Sequence, residues 1–434
     1  MKIILIKSNM HKEKSKGVMQ PLFAAALLAL TPDDIEVKLY DDRIEDIPFD
    51  EYTDMVAISI ETFCAKRSYE IASEYKKRGV KVVAGGFHPT ILPDETSEYV
   101  DSVVIGDAEN VWPEIICDLK EGKLKKLYSS ENNTSDIEPK FDRRIFLNKS
   151  YGPIELVQWG RGCPYNCDFC SIKAFYKSKQ TCRSIDSVCK EIEGLKYKTV
   201  FFVDDNLYHN REKFVLFLKE ITSLKIKWTC QISIDVAKDD ALLKLMKDSG
   251  CFLVLIGIES FNADNLKLMN KQWSTSGMNI EAAIKKFHDF GMMVYGTFIF
   301  GYDYDSSDSF KYAVDFAIKH KFFIANFNPL YPMPGTALYD RLKSENRLLY
   351  EKWWLDPEFY YGKSMFKPKS MTSDELEKYC FEAKKEFNSW QSILLRGLNP
   401  LVSLKSLNNL MLYFYINSAN RREIFSKQGK ILGQ

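Results

Sequence analysis

"IELVQW" at residues 154–159 runs, one residue on, into "RGCPYNCDFCSI" at 161–172. An apolar run that ends at a glycine-bearing turn reads as a strand opening onto a loop. That loop holds three of the chain's ten cysteines, Cys163, Cys167 and Cys170, spaced four and three apart. Gly162 lets the backbone turn tightly before the first thiol, and Pro164 fixes φ directly after it. Five more strand-like runs follow: "TVFFVDD" (199–205), "KWTCQISID" (227–235), "CFLVLIGIE" (251–259), "MMVYGTFIFG" (292–301) and "FFIANFNPL" (322–330). Helical stretches separate them, such as "DDALLKLMKDSG" (239–250) with its Asp start and Gly stop. Six βα units in a row predict a partial (β/α)6 TIM-type barrel, whose chemistry sits at the carboxyl ends of the strands. The cysteine loop follows the first strand and so lies on that face.

Upstream, the same alternation predicts a second parallel sheet. "KIILI" (2–6), "IEVKLYD" (35–41), "MVAISI" (55–60), "VKVVAGG" (80–86) and "DSVVIGD" (101–107) read as strands. "GVMQPLFAAALLAL" (17–30) and "CAKRSYEIASEYKKRG" (64–79) read as helices, the second stopped by Gly79. This is a Rossmann-like, doubly wound sheet, which binds ligands where its strands end. Gly85, Gly86 and Gly106 stand at such ends, where backbone can come close to a ligand or simply turn the chain. "SSENNTSDIEPK" (129–140) is polar and aperiodic and reads as a linker. "TSDELEKYCFEAKKEFNSW" (372–390) opens with a capping signal in a helical end region. The expected order is a Rossmann-like domain at 1–128, a linker at 129–150, the barrel at 151–345 and a helical C-terminal cap at 346–434.

The 434 residues, 45% of them hydrophobic and 27% charged, suit a globular chain of two or three domains. A net charge of +1 gives no reason to expect nucleic acid as a partner. The longest apolar runs, such as "PLFAAALLAL" (21–30), are too short to span a bilayer, and "MKIILIKSNMHK" lacks a signal-peptide cleavage site. The expectation is a cytoplasmic protein whose cysteines are reduced thiols. Clustered cysteines in that setting point to a metal or to catalysis. A closed zinc site wants four ligands, and cubic iron–sulfur clusters normally take four thiolates. Three would leave one iron open to another ligand. A zinc-stabilised binding module without catalysis is the alternative from another class.

The spacing Cys163–Cys167–Cys170, with Phe169 just before the last cysteine, resembles the signature of the radical S-adenosylmethionine (radical SAM) superfamily. "FFVDDNLYHN", "WTCQISIDVA", "GCFLVLIGIES", "GTFIFGYDYDS" and "PLYPMPGTALYD" resemble successive segments of the subfamily with an N-terminal cobalamin-binding-type domain. "VVAGGFHPT" and "VVIGDAEN" resemble that domain's own segments. The resemblance implies a 4Fe-4S cluster on the three cysteines, its open iron chelated by S-adenosylmethionine. The reduced cluster of such enzymes cleaves the sulfonium to methionine and a deoxyadenosyl radical, which takes hydrogen from an unactivated carbon of a small-molecule substrate. It also implies an electron donor, a reductase or a flavodoxin or ferredoxin. Cobalamin-dependent methyl transfer is the first reaction suggested, with radical rearrangement, cyclisation, dehydration or epimerisation as alternatives. A transfer-RNA methylthiolase would need a second cysteine trio in the N-terminal domain, which has only Cys64 and Cys117.

The remaining candidates take their roles from that resemblance. Asp204, Asp205 and Asn206, ending the second barrel strand, stand where the superfamily binds the methionine amino group, although the usual Gly-Gly-Glu is absent. Gln231, Ser233 and Asp235 alternate, and with Glu259 are candidates for ribose hydroxyls or substrate. Gly296 and Gly301 would let adenine lie against backbone, and Phe169 would touch its edge. Ser59, Thr62, Gly85, Gly86 and Gly106 would cradle the corrin and its nucleotide tail. His11 lacks the Asp-x-His-x-x-Gly setting of a cobalt ligand, since Asn9 and Lys14 replace its Asp and Gly, and is expected to be a solvated loop histidine. The seven other cysteines are expected to be small buried hydrophobes.

Overall fold

The computed structural model describes residues 1–15, 17–130, 138–208, 210–275 and 277–433. The chain forms two compact units: Met1–Leu156 with Lys352–Tyr360 and Lys430–Gln434, and Val157–Glu351 with Tyr361–Gly429.

The first unit is built on six strands: β1 (Lys2–Lys7), β2 (Glu36–Asp41), β3 (Met55–Ser59), β4 (Lys81–Gly85), β5 (Ser102–Ile105) and β6 (Leu127–Ser129). They are all parallel, in the order β2-β1-β3-β4-β5-β6. Burial on both faces explains the near-continuous apolar runs: Ile3, Ile4, Leu5 and Ile6 are fully buried. The order reverses between β1 and β3, which makes that crevice the place where such sheets take ligands. The helix expected at 17–30 is shorter, Leu22–Ala29, because Pro21 caps it and pushes the preceding residue towards extended backbone. β6 was not expected; three residues give no readable alternation. Of the expected linker, 131–137 lies outside the described residues. The part that follows is no free linker, because Ile145 and Phe146 are buried in this unit's core.

The second unit's main sheet uses β7 (Glu155–Val157) and, after a short ribbon of β8 (Gly160–Arg161) and β9 (Thr181–Cys182), five more strands. These are β10 (Thr199–Phe202), β11 (Lys227–Gln231), β12 (Cys251–Glu259), β13 (Met293–Phe300) and β14 (Ile324–Pro329). The order β14-β13-β12-β11-β10-β7 follows the chain, and β10 to β14 pair in parallel. Among the described residues the first and last strands do not pair, so this is the partial six-stranded barrel expected. The C-terminal region is helical. Its helix Ser373–Phe387 starts on Thr372, whose side chain and that of Glu375 form the expected capping box. Leu376, Cys380 and Phe387 from this helix join the barrel's core. No helix among the described residues is long and apolar enough to cross a membrane.

Two sequence expectations need correction here. His11 is buried, at 5% exposure, where a solvated loop was expected; its loop folds back beside the buried Asp42 and the Lys14 ammonium that pairs with it. Cys182 and Cys189 are only half-buried and Cys117 is exposed, although Cys64, Cys230, Cys251 and Cys380 are buried as expected. Cys117 lies on the outer side of the helix Trp112–Lys120, whose apolar face is made by Trp112, Ile115 and Ile116.

Candidate active site

The cysteine loop leaves β7 and is braced from its own backbone outward. Asp204 accepts the N–H groups of Trp159, at 3.0 Å, and Gly160, and Asp205 accepts the N–H of Gly162 at 2.8 Å. Two adjacent carboxylates at the end of β10 thus hold the turn that enters the loop. Gly162 has φ 81°, and a Cβ there would collide with the carbonyl oxygen of Lys179, so the position accepts only glycine. The far end of the loop is held by Asp168, which is buried. It accepts a hydrogen bond from the Tyr302 hydroxyl at 2.6 Å and faces Arg341 at 3.4 Å. Its own backbone N–H and carbonyl bond to Met269 and Leu338. Burial raises the Asp168 carboxyl above its usual range, against the pull of Tyr302 and Arg341.

Cys167 is buried and Cys163 and Cys170 are half-buried. Burial pushes the Cys163 thiol up to about 11 and the Cys167 thiol to about 12, and raises Cys170 as well. Such thiols bind iron by releasing their protons. The protein has placed a cation where that charge would develop. Lys271 is buried, and although burial disfavours its ammonium, Glu259 and then Cys167 hold its pKa above the ordinary lysine value. Among the described residues, no three His, Cys, Asp or Glu side chains converge on a position for a single metal ion. An iron–sulfur cube asks for something else, since each thiolate takes its own iron. Three thiols on one loop, offset by a buried ammonium, fit that group.

Glu259 ends β12 at φ 63°, the left-handed region, where a non-glycine residue is strained and held by its surroundings. Its carboxylate meets Lys271 Nζ at 3.2 Å and the Thr297 hydroxyl at 3.3 Å. Gly257 makes room for the pair, because a Cβ there would strike the Glu259 carboxylate. The ring of Tyr165, within the loop, stacks on that of Trp273 with centroids 3.5 Å apart, and Lys271 Nζ lies 5.3 Å from the Trp273 ring centre.

The other expected residues are distributed less simply. β11 stops at Gln231, whose amide donates to the Asp205 carbonyl at 2.9 Å. Ser233 and Asp235 do not continue an alternating strand; Ser233 precedes and Asp235 lies in the 3-10 turn Ile234–Lys238. Ser233 N–H donates to Asn206 Oδ1 at 3.1 Å, while Asn206 Nδ2 and Asp235 Oδ1 are buried with no hydrogen-bond partner among the described residues. These polar atoms lie at the barrel's strand ends, as a ligand site requires. Phe169 packs against the barrel core. The space beside Gly296 is filled by the Phe322 ring, and that beside Gly301 by Phe366 and Leu376, so side-chain packing accounts for both glycines. In the first unit, Ser59 ends β3 directly beside Gly85 of β4, and Gly86 has φ 107° against the Ile60 backbone. Thr62 Oγ1 meets His88 Nδ1 at 3.4 Å, and Gly106 N–H donates to Thr90.

Asp168, Lys271, Tyr165 and Trp273 were missed by sequence reasoning. Asp168 and Tyr165 sit inside the cysteine loop, so the signal was proximity to the thiols. Lys271 and Trp273 follow β12 by a dozen residues, and only the chain's return to the loop brings them to the site.

A model of the radical SAM superfamily matches residues 157–317. Bacteriochlorophyllide d C-12(1)-methyltransferase of Chlorobaculum tepidum is 32% identical over 398 residues, covering 88% of this chain and 85% of that protein. Bacteriochlorophyllide d C-8(2)-methyltransferase of the same organism is 30% identical over 409 residues, covering 88% and 89%. The solved structure of the radical S-adenosylmethionine methyltransferase TsrM from Kitasatospora setae, with cobalamin and a [4Fe-4S] cluster bound, superposes with a TM-score of 0.63 at 14% identity, covering 79% of this chain and 75% of that one. Across both units, and with the three cysteines on the loop after the first barrel strand, the chain belongs to the radical SAM superfamily.

Proposed function

We propose that this radical SAM enzyme methylates an unactivated carbon of an apolar, polycyclic or macrocyclic small molecule, with cobalamin held by its first unit. The observation that carries the reading is the 32% identity, running through both units, to a relative named for carbon methylation of a bacteriochlorophyllide. When bound, the cluster supplies the electron that breaks the sulfonium and cobalamin supplies a methyl carrier. The chain's own residues do the rest. Cys163, Cys167 and Cys170 hold the cluster, and Asp204, Asp205 and Asp168 keep their loop in place through its backbone and through Tyr302. Lys271 offsets the anionic charge of thiolates and cluster, and holds the Glu259 carboxylate for a ribose hydroxyl. Asn206, Ser233 and Asp235 offer buried polar atoms to the methionine and ribose parts of S-adenosylmethionine.

For cobalamin the fit is one of topology and polarity. The crevice between β1 and β3 is where this strand order takes a ligand. Ser59, Thr62, Gly85, Gly86 and Gly106 stand at the strand ends nearby, with the Lys7–Glu61 pair. Electrons would come from a flavodoxin- or ferredoxin-class donor in the cytoplasm. Purification from cells supplied with hydroxocobalamin, followed by an absorption spectrum and a titration, tests the cofactor. One corrin per chain is expected. Colourless protein without affinity would contradict the cobalamin reading. Methyl-deuterated S-adenosylmethionine, offered with tetrapyrrole and polycyclic lipid acceptors, tests the transfer by mass.

A further inference from the structure

The second unit ends in two helices whose outer faces are apolar and open. On Trp390–Gly397 and the residue after it, Trp390, Leu394 and Leu398 recur at four-residue spacing; on Leu407–Lys427, Leu407, Met411 and Tyr415 do the same. These six are 53 to 72% exposed, and they belong to the densest run of exposed large hydrophobics among the described residues. The inner faces bury Ile393 and Arg396 of the first helix and Tyr413 and Asn417 of the second. Arg396 is buried and donates to the carbonyls of Phe322, Phe323 and Phe387 and to Asn417, and the Tyr413 hydroxyl donates to the Ile393 carbonyl at 2.7 Å. Both helices are therefore pinned to the barrel through one side. Their apolar stripes point outward, which a soluble surface of this size does not require.

The charge pattern says what kind of surface they meet. No Asp or Glu occurs from Asn388 to Arg422, in a chain that carries 59 of them. The charged residues of that stretch are Arg396, which is buried, and Lys405, Arg421 and Arg422; from the barrel, Lys321 reaches the Leu398 carbonyl. Leucine flanked by Trp and Tyr, fringed with cations and free of acids, is the composition of an element lying in the headgroup region of an anionic bilayer. We infer that the stripes of Trp390–Leu398 and Leu407–Tyr415 dock the protein on an anionic lipid surface. No span is needed, and none is present among the described residues. This does not depend on the proposed methyl transfer, although it would bring the enzyme to membrane-dissolved substrates.

The test is co-sedimentation of the full chain with vesicles of pure phosphatidylcholine and of phosphatidylcholine mixed with phosphatidylglycerol. Binding is expected on the anionic vesicles and should weaken with salt. Leu394→Glu with Met411→Glu should lower the partition coefficient at least about tenfold, with circular dichroism and iron content unchanged. Brominated lipid should quench the wild type more than Trp390→Phe, a readout that survives if the double variant folds poorly. No partitioning, or no difference between Trp390→Phe and wild type, would overturn the inference. So would a dimer in sedimentation velocity that the double variant makes monomeric, since the stripes would then meet a second copy.

Discussion

The two parallel sheets have the same strand number and the same chain direction, yet their carboxyl edges are built differently. At the barrel edge, carboxylates hold backbone: Asp204, Asp205 and Asp305 each accept N–H groups of turns, and Asp168 ties its loop to Tyr302. At the edge of the first unit, side chains hold one another. His88 Nε2 meets the Tyr69 hydroxyl at 3.0 Å and Glu95 at 3.1 Å, Glu95 accepts from the Trp354 indole at 2.9 Å, and Lys352 pairs with it at 3.1 Å. Those hydrogen bonds and Lys352 hold the Glu95 carboxyl at about 2 despite its burial. Backbone bracing fixes a loop that must present three thiols in one arrangement. Side-chain bracing fixes a frame, with glycines and small polar residues at the neighbouring strand ends.

The sharpest way to break this contrast is Gly162→Ala. The methyl group would strike Lys179 and force a positive φ on alanine, so the loop should lose its shape while the sheets stay folded. Near-complete loss of bound iron is expected, with unchanged circular dichroism; iron retained at the wild-type level would mean that the loop is not shaped by its backbone. Glu95→Ala should do the reverse. It strands His88, the Trp354 indole and Lys352, and should lower stability by about 3 kcal/mol while iron content holds. Calorimetry alongside iron analysis separates the two effects.

The smallest effect concerns a second buried histidine. His288, on the barrel helix Ile280–Asp289, has no hydrogen-bond partner on Nε2 among the described residues, and burial lowers its pKa from 6.5 to about 4. The unfolded chain takes the proton first, so its contribution is complete above pH 6.5 and is lost as pH falls towards 4. His288→Leu should flatten this window, gaining about 2 kcal/mol at pH 5 relative to the wild type's own change from pH 7. Urea titrations at both pH values read it, and parallel curves for the two proteins would count against the assignment.

What could be read in advance follows the same division. The strands, the capping box at Thr372 and the open barrel were legible because apolar periodicity and local capping are written in adjacent residues. The three cysteines were legible because their chemistry needs a fixed spacing. Lys271 was not, because its meaning arises only when β12 places Glu259 beside it and the cysteine loop lies within reach. The strand run to Asp235 overreached, because the turn at Ser233 is stabilised by Asn206, twenty-seven residues earlier, and not by its own neighbours. His11 was misjudged for a related reason: its failed local pattern said nothing of the buried Asp42, to which Asn9 N–H and the Lys14 ammonium tie its loop.

The central claim, that Cys163, Cys167 and Cys170 hold a cluster with one iron open to S-adenosylmethionine, is met most directly by electron paramagnetic resonance of the anaerobically reconstituted, dithionite-reduced protein, with iron and sulfide analysis of the same sample. About four irons and four sulfides per chain are expected, with a reduced-cluster signal that shifts when S-adenosylmethionine is added, and neither iron nor signal in the triple Cys→Ala variant. Zinc in place of iron, a signal indifferent to S-adenosylmethionine, or a cluster that survives the triple substitution would contradict it.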